Sequence, residues 1–232
     1  MPGIFALRQI IPTRLTASSN AQNPLNSSLD GALDIRDWKL ARIFEGRGYH
    51  VSIGAFSTPI TGGGAGTIFD QDQPEGVLSI PSGVTLIPVR IHVQTQTPLL
   101  ATDADESEIL IAVDRLAASN ASSATGTAET IFNMRTDNPQ SSLITATSAV
   151  TTNITNPTLD IELASSRLVG DVQGTAATVN LYQFRLDYEP KNPPIILGPA
   201  MVVGYWGGSI AATGFAQLNF LAFPSALVSA LA

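Results

Sequence analysis

The sequence predicts an all-β protein, a sandwich or barrel, preceded by an N-terminal arm. Three observations carry this. From residue 49 onward apolar residues recur with period two, the spacing of a strand with one face buried. The strand-like segments are short and roughly evenly spaced, and turn-rich gaps such as PSG, TDADES, RTDNPQSS, TNPT and EPKNPP separate them. No alternation with long amphipathic helices is present, which argues against an α/β fold.

Taken in order, residues 1–33 read as an extended arm with apolar anchors at Ile4, Phe5, Leu7, Ile10 and Ile11, followed by the polar run TASSNAQNPLNSSLDG. A flexible terminus is the alternative. Residues 34–46, DIRDWKLARIFEG, are the best helix candidate. Asp34 serves as N-cap, Gly46 as the stop, and Ile35, Trp38 and Phe44 share a face; a strand is the alternative here. The arm with this short helix occupies 1–48, and the β body 49–232. In LIPVRIHVQ, Ile87, Val89, Ile91 and Val93 point one way and Pro88, Arg90, His92 and Gln94 the other. ILIAV at 109–113 is apolar on both faces and therefore a central strand. In TLDIEL, Leu159, Ile161 and Leu163 oppose Asp160 and Glu162. In YQFRLDY, Tyr182, Phe184, Leu186 and Tyr188 oppose Gln183, Arg185 and Asp187. Weaker strands fit 49–56, 128–135, 142–152, 200–206 and 214–223. No composition shift marks a second domain, and a chain of 232 residues is long enough to bury one real core.

Composition narrows the function classes. Charged residues are only 13%, about half the usual share, so Ser, Thr, Asn and Gln must supply the polar surface. A surface this neutral suits a protein covered by partners. The net charge is −7 and the 12 Lys and Arg are scattered, which argues against direct nucleic-acid binding. Cys is absent, so no disulfide framework exists. The N-terminus does not read as a signal peptide, no run is long and apolar enough for a membrane helix, and no membrane partner is expected.

The chemistry-bearing stretches are few. TGGGAG at 61–66 lacks the Lys of a phosphate loop, and the acids that follow would repel a phosphate. It reads as a connection, with Ile68 and Phe69 anchoring it to a neighbouring surface. Asp70 and Asp72, and the later run of Asp103, Asp105, Glu106 and Glu108, are candidate calcium ligands, though neither has EF-hand spacing. A solvated acidic loop is the plainer reading, and no cofactor is expected. His50 and His92 are the only histidines. His50 shares a strand face with Ser52, but no G-x-S-x-G elbow surrounds them, and both histidines read as surface or interface residues. Tyr205-Trp206-Gly207-Gly208 is either a small carbohydrate contact or, preferably, a strand end anchored by aromatics. No catalytic set emerges, so the chain is not expected to be an enzyme.

Two stretches carry a family resemblance: VLSIPSGVTLIPVRIHVQ at 77–94 and AMVVGYWGGSIAATGFAQLNFLAFPSAL at 200–227. Together with the arm and the low-charge surface, the chain resembles jelly-roll structural proteins (capsid, cement or decoration) of icosahedral bacterial viruses, over residues 49–227. The resemblance implies an antiparallel β-sandwich, a jelly roll of about eight main strands. It further implies a homo-oligomer, expected to be a trimer, contacts with other virion shell proteins, and a place in the virion. Trp38, Trp206, Ile68, Phe69 and the arm's Ile4, Phe5, Ile10 and Ile11 are the interface candidates. The competing expectation is a lectin-like or receptor-binding β-sandwich module of a phage tail, with saccharide bound near Trp206 or Asp103–Glu108.

Overall fold

The structure, a computed structural model, describes residues 38–62, 70–98, 104–115, 125–137, 140–150, 154, 157–171, 181–208 and 212–226. In chain order the elements are helix α1 (Trp38–Phe44) and strands β1 (Gly48–Ile53), β2 (Ile60–Gly62), β3 (Gly76–Ile80), β4 (Val84–Pro98), β5 (Ala104–Asp114) and β6 (Thr127–Glu129). There follow β7 (Phe132–Asn133), β8 (Thr145–Ser148), β9 (Ile161–Asp171), β10 (Leu181–Tyr188), β11 (Ile196–Leu197), β12 (Ala200–Gly208) and β13 (Ala212–Pro224).

These strands make two antiparallel sheets. The first runs β10-β4-β13-β1-β7, with β11 added to β4 and β2 to β13; the second runs β6-β8-β3-β12-β5-β9. Eight strands are the main ones: β1, β3, β4, β5, β9, β10, β12 and β13. Numbered one to eight in that order, they are arranged 6-3-8-1 in one sheet and 2-7-4-5 in the other. That is the paired Greek-key order of a jelly roll. The sandwich expected from the sequence is therefore the fold observed.

The core lies between the sheets. Tyr49, Val51 and Ile53 of β1, Ala216, Leu218 and Phe220 of β13, and Ile91 and Val93 of β4 meet Leu78, Ile80, Ile109, Ile111, Val113, Val202 and Trp206 of the second sheet. Phe184, Leu186 and Tyr188 pack against it from β10, as the alternation in YQFRLDY predicts. β5 is interior in its sheet, also as predicted, with β12 on one side and β9 on the other.

Two bulges break the predicted parity. In β4, Pro88 pairs with Phe220 and Arg90 with Asn219, so Val89 is an extra residue. Below it Val84 and Leu86 face the core, and above it Ile91 and Val93 do. Ile87 and Val89 do not share the face of Ile91, because one inserted residue inverts every side chain beyond it. In β9, Glu162 pairs with Ala112 and Ala164 with Ile111, which makes Leu163 the extra residue. Leu163 packs on the main core, Ile161 is exposed, and Leu159 lies before the strand in a second cluster.

That second cluster covers the outer face of the second sheet. Val77, Ala112, Met201, Val203 and Tyr205 point outward and are buried under Val150, Ile154 and Leu159. The covering chain is the long insertion between β5 and β9, and backbone bonds tie it to residues 72–75: Ile154 N–H to the Asp72 carbonyl (2.8 Å) and Ala149 N–H to that of Glu75 (2.9 Å). The same insertion places β6 and β8 on the second sheet and β7 on the first. It thus spans one edge of the sandwich.

Helix α1 falls within the predicted 34–46, of which residues 34–37 lie outside the described residues. Gly46 ends it as expected. With φ at 75° it lets its own N–H reach the Ile43 carbonyl and the Arg47 N–H reach that of Arg42. α1 packs on the first sheet where β1 has Gly48, since a Cβ there would lie 2.6 Å from Ile43 Cγ1.

Candidate functional site

A small void lies between the sheets. The void lined by Ile53, Gly76, Ile111, Val202, Gly204 and Trp206 measures about 20 Å³, the scale of one water, and its walls are apolar. The polar groupings that include the histidines lie on the outer face of the first sheet. One outer face is roofed by the insertion. The other, on the first sheet, carries α1 at the Gly48 end, where Ile87 and Leu221 are buried, and holds both histidines farther along.

Strand parity assembles that face. β1 contributes His50 and Ser52, β13 Phe215, Gln217 and Asn219, β4 Arg90, His92 and Gln94, and β10 Arg185 and Asp187. Cross-strand register sets them side by side: His50 opposite Asn219, Ser52 opposite Gln217, His92 opposite Asp187. Two polar groupings result. In one, Asp187 is the hub. Its carboxylate accepts from His92 Nδ1 (2.8 Å) and Arg90 Nη2 (3.4 Å), and Arg185 donates Nε to its other oxygen. These donors, His92 foremost and then Arg185, hold the Asp187 carboxyl down to about 2. In the other grouping His50 bridges two partners, with Nδ1 2.7 Å from Asn219 Oδ1 and Nε2 3.2 Å from Ser52 Oγ.

Aromatic rings flank these groups. Phe56 meets Phe215 edge-on at 6.2 Å, and Phe132, the cross-strand partner of His50, is 61% exposed. Toward the other end of β1, α1 turns Trp38, Leu40 and Phe44 to solvent, while Lys39 Nζ donates to the Pro190 carbonyl at 3.2 Å. A helix normally buries its apolar stripe; here three large apolar side chains remain exposed.

Comparison with protein families, with curated proteins and with solved structures returns no match.

The residues singled out from the sequence fare differently. Trp38 is exposed and fits an interface role. Trp206 does not: it is 1% exposed, inside the core, with its backbone N–H given to Glu75 Oε2 at 3.0 Å. The reason is β12's place as an interior strand, buried on both faces. A saccharide contact on Trp206 is excluded by the same burial. Asp70 accepts the Asp72 N–H at 3.0 Å and starts a turn closed by the Gln73 N–H on its carbonyl. This segment lies on the second sheet, where Tyr205 donates its hydroxyl to the Gln71 carbonyl (2.8 Å). Burial, and then the carboxylates of Glu75, Asp114, Asp72 and Asp70, push the Tyr205 hydroxyl well above its ordinary range. Among the described residues no group of three His, Asp or Glu converges on a metal-sized point. Ile4, Phe5, Ile10, Ile11, Ile68, Phe69 and Asp103 lie outside the described residues, and Asp105 stands on β5.

The sequence reading placed His50 and Ser52 on one face but missed Asn219, which lies 169 residues from His50 in the chain. No local signal announces such a pair; only the β1–β13 register does.

Proposed function

We propose that this chain is a structural subunit of a virus shell, a capsid or cement protein that works through protein–protein contacts. The observation that carries the reading is a jelly roll with an apolar core and three large apolar side chains exposed on one helix. A roofed face on one side and a polar face with the Asp187 cluster on the other suit a subunit set in a shell with an orientation. The low content of charged residues agrees with surfaces that are covered on assembly.

Light scattering on the purified chain, with negative-stain microscopy of concentrated samples, tests the proposal. A homo-oligomer, expected to be a trimer, supports it. The triple variant Trp38→Ser, Leu40→Ser, Phe44→Ser then dissociates the oligomer while its melting temperature stays near that of the parent. A monodisperse monomer at every concentration, with no rings or shells, overturns the reading.

A further inference from the structure

We propose that Ser52, His50 and Asn219 form a nucleophilic site for acyl transfer from carboxylic esters. This goes beyond a structural role. It also lies clear of the surface used for it above: Ser52 is four residues along β1 from Gly48, where α1 packs, or about 13 Å at strand spacing.

The geometry fixes the roles. Asn219 Oδ1 is an amide carbonyl oxygen and only accepts, so the proton of neutral His50 sits on Nδ1. Nε2 then carries the lone pair and faces the Ser52 hydroxyl at 3.2 Å. That is the order of nucleophile, base and orienting group required to activate a serine. Gln217, directly across from Ser52, is the cross-strand neighbour whose amide could donate to an oxyanion. Arg90, cross-strand from Asn219 on the other side, is the charged neighbour. Phe132 beside His50 and the Phe56–Phe215 pair supply apolar shelves, so aryl and other apolar esters are the substrate class.

The steps balance. As Ser52 Oγ bonds to the ester carbonyl carbon, its proton passes to His50 Nε2 and the C=O π pair moves to oxygen. Collapse of this adduct re-forms the carbonyl and expels the leaving oxygen, which takes the proton from Nε2. A water then attacks the acyl-serine, giving its proton to Nε2. Collapse releases the carboxylic acid, and Oγ recovers the proton. Ser52 and His50 are the catalytic residues; Asn219 is a positioning residue.

The probe is p-nitrophenyl acetate with the full chain. Quenched early, the protein is expected to carry one acetyl group on the peptide containing Ser52. Ser52→Ala and His50→Gln are each expected to lower the rate about a hundredfold and to abolish that adduct. Asn219→Leu, which keeps the bulk and loses the acceptor, lowers kcat with KM held, and Asn219→Asp restores it. Nitrogen NMR of His50 is expected to find the proton on Nδ1. A rate unchanged by Ser52→Ala, an acetyl group only on other side chains, or a proton on Nε2 overturns the assignment.

Discussion

Deleting Val89 is expected to be mild, and deleting Ile91, two residues on, to be severe. Either deletion removes one residue from β4 and lets the strand pair with β13 without its bulge. What differs is the side chain left facing the core. Without Val89, Pro88 is followed by Arg90 outward and Ile91 inward, and every core position keeps its occupant. Val89 is only half-buried, so the loss is about 1 kcal/mol of apolar burial. β11 then moves one residue relative to β10 along β4, a shift the connection at 189–195 absorbs. Without Ile91, Arg90 takes the core position. Removing a side chain that is 1% exposed costs about 2–5 kcal/mol. Burying an unpaired guanidinium adds several kcal/mol more. Together these approach the whole stability of a domain, about 5–15 kcal/mol. Urea and thermal melts followed by far-ultraviolet circular dichroism read the difference. At about 2–4 °C per kcal/mol for a chain of this size, the Val89 deletion melts only a few degrees below the parent, and the Ile91 deletion does not fold. Equal damage from the two would refute the argument and make the bulge itself indispensable.

Other outcomes follow from the same structure. The Asp187 carboxyl is depressed from 3.8 to about 2, so its contribution is fully present above about pH 4 and is lost as pH falls toward 2. Asp187→Asn should therefore melt below the parent near neutral pH, by less than about 1 kcal/mol for so exposed a group. The two melting curves should converge at the acid end; a constant offset would exclude the ion pairs as the cause. Trp38→Phe leaves Trp206 as the only tryptophan. Its emission is expected to be blue-shifted and resistant to iodide, whereas Trp206→Phe leaves a quenchable signal from Trp38. Gly48→Ala forces Ile43 aside and should weaken α1 by about 1–3 kcal/mol, read as faster amide exchange in 40–47 with the sheets unchanged. Tyr205→Phe gives up one hydroxyl bond to the Gln71 carbonyl and should cost about 0.5–1.5 kcal/mol in chemical denaturation.

Much of the fold was readable in the sequence wherever one physical signal acted alone. YQFRLDY alternates cleanly because β10 has one buried face. ILIAV lacks alternation because β5 is covered on both. The parity of LIPVRIHVQ was misread because of a bulge, and that of TLDIEL because of a bulge and because Leu159, at a φ of 45°, precedes the strand. A bulge adds a residue without changing composition, and Val89 or Leu163 looks like any other strand residue. Trp206 was a candidate for the surface because a Tyr-Trp-Gly-Gly run resembles a strand end; its burial depends on β12 lying between β3 and β5. The histidine-bearing face was half-readable. Arg90, His92 and Gln94, or Arg185 and Asp187, declare a shared face within one strand. Which strands lie beside them is set by register between segments about a hundred residues apart.

The insertion between β5 and β9 gives the sandwich a kinetic lock. Its ends belong to the second sheet, while β7 in its middle is hydrogen-bonded to β1 of the first. At that edge the sheets separate only after β7 peels from β1 and the roof lifts from Met201 and Val203. Contacts absent from the folding transition state raise the unfolding barrier. Variants that loosen this clasp of two strand residues, Phe132 and Asn133, are expected to unfold faster with little change in folding rate.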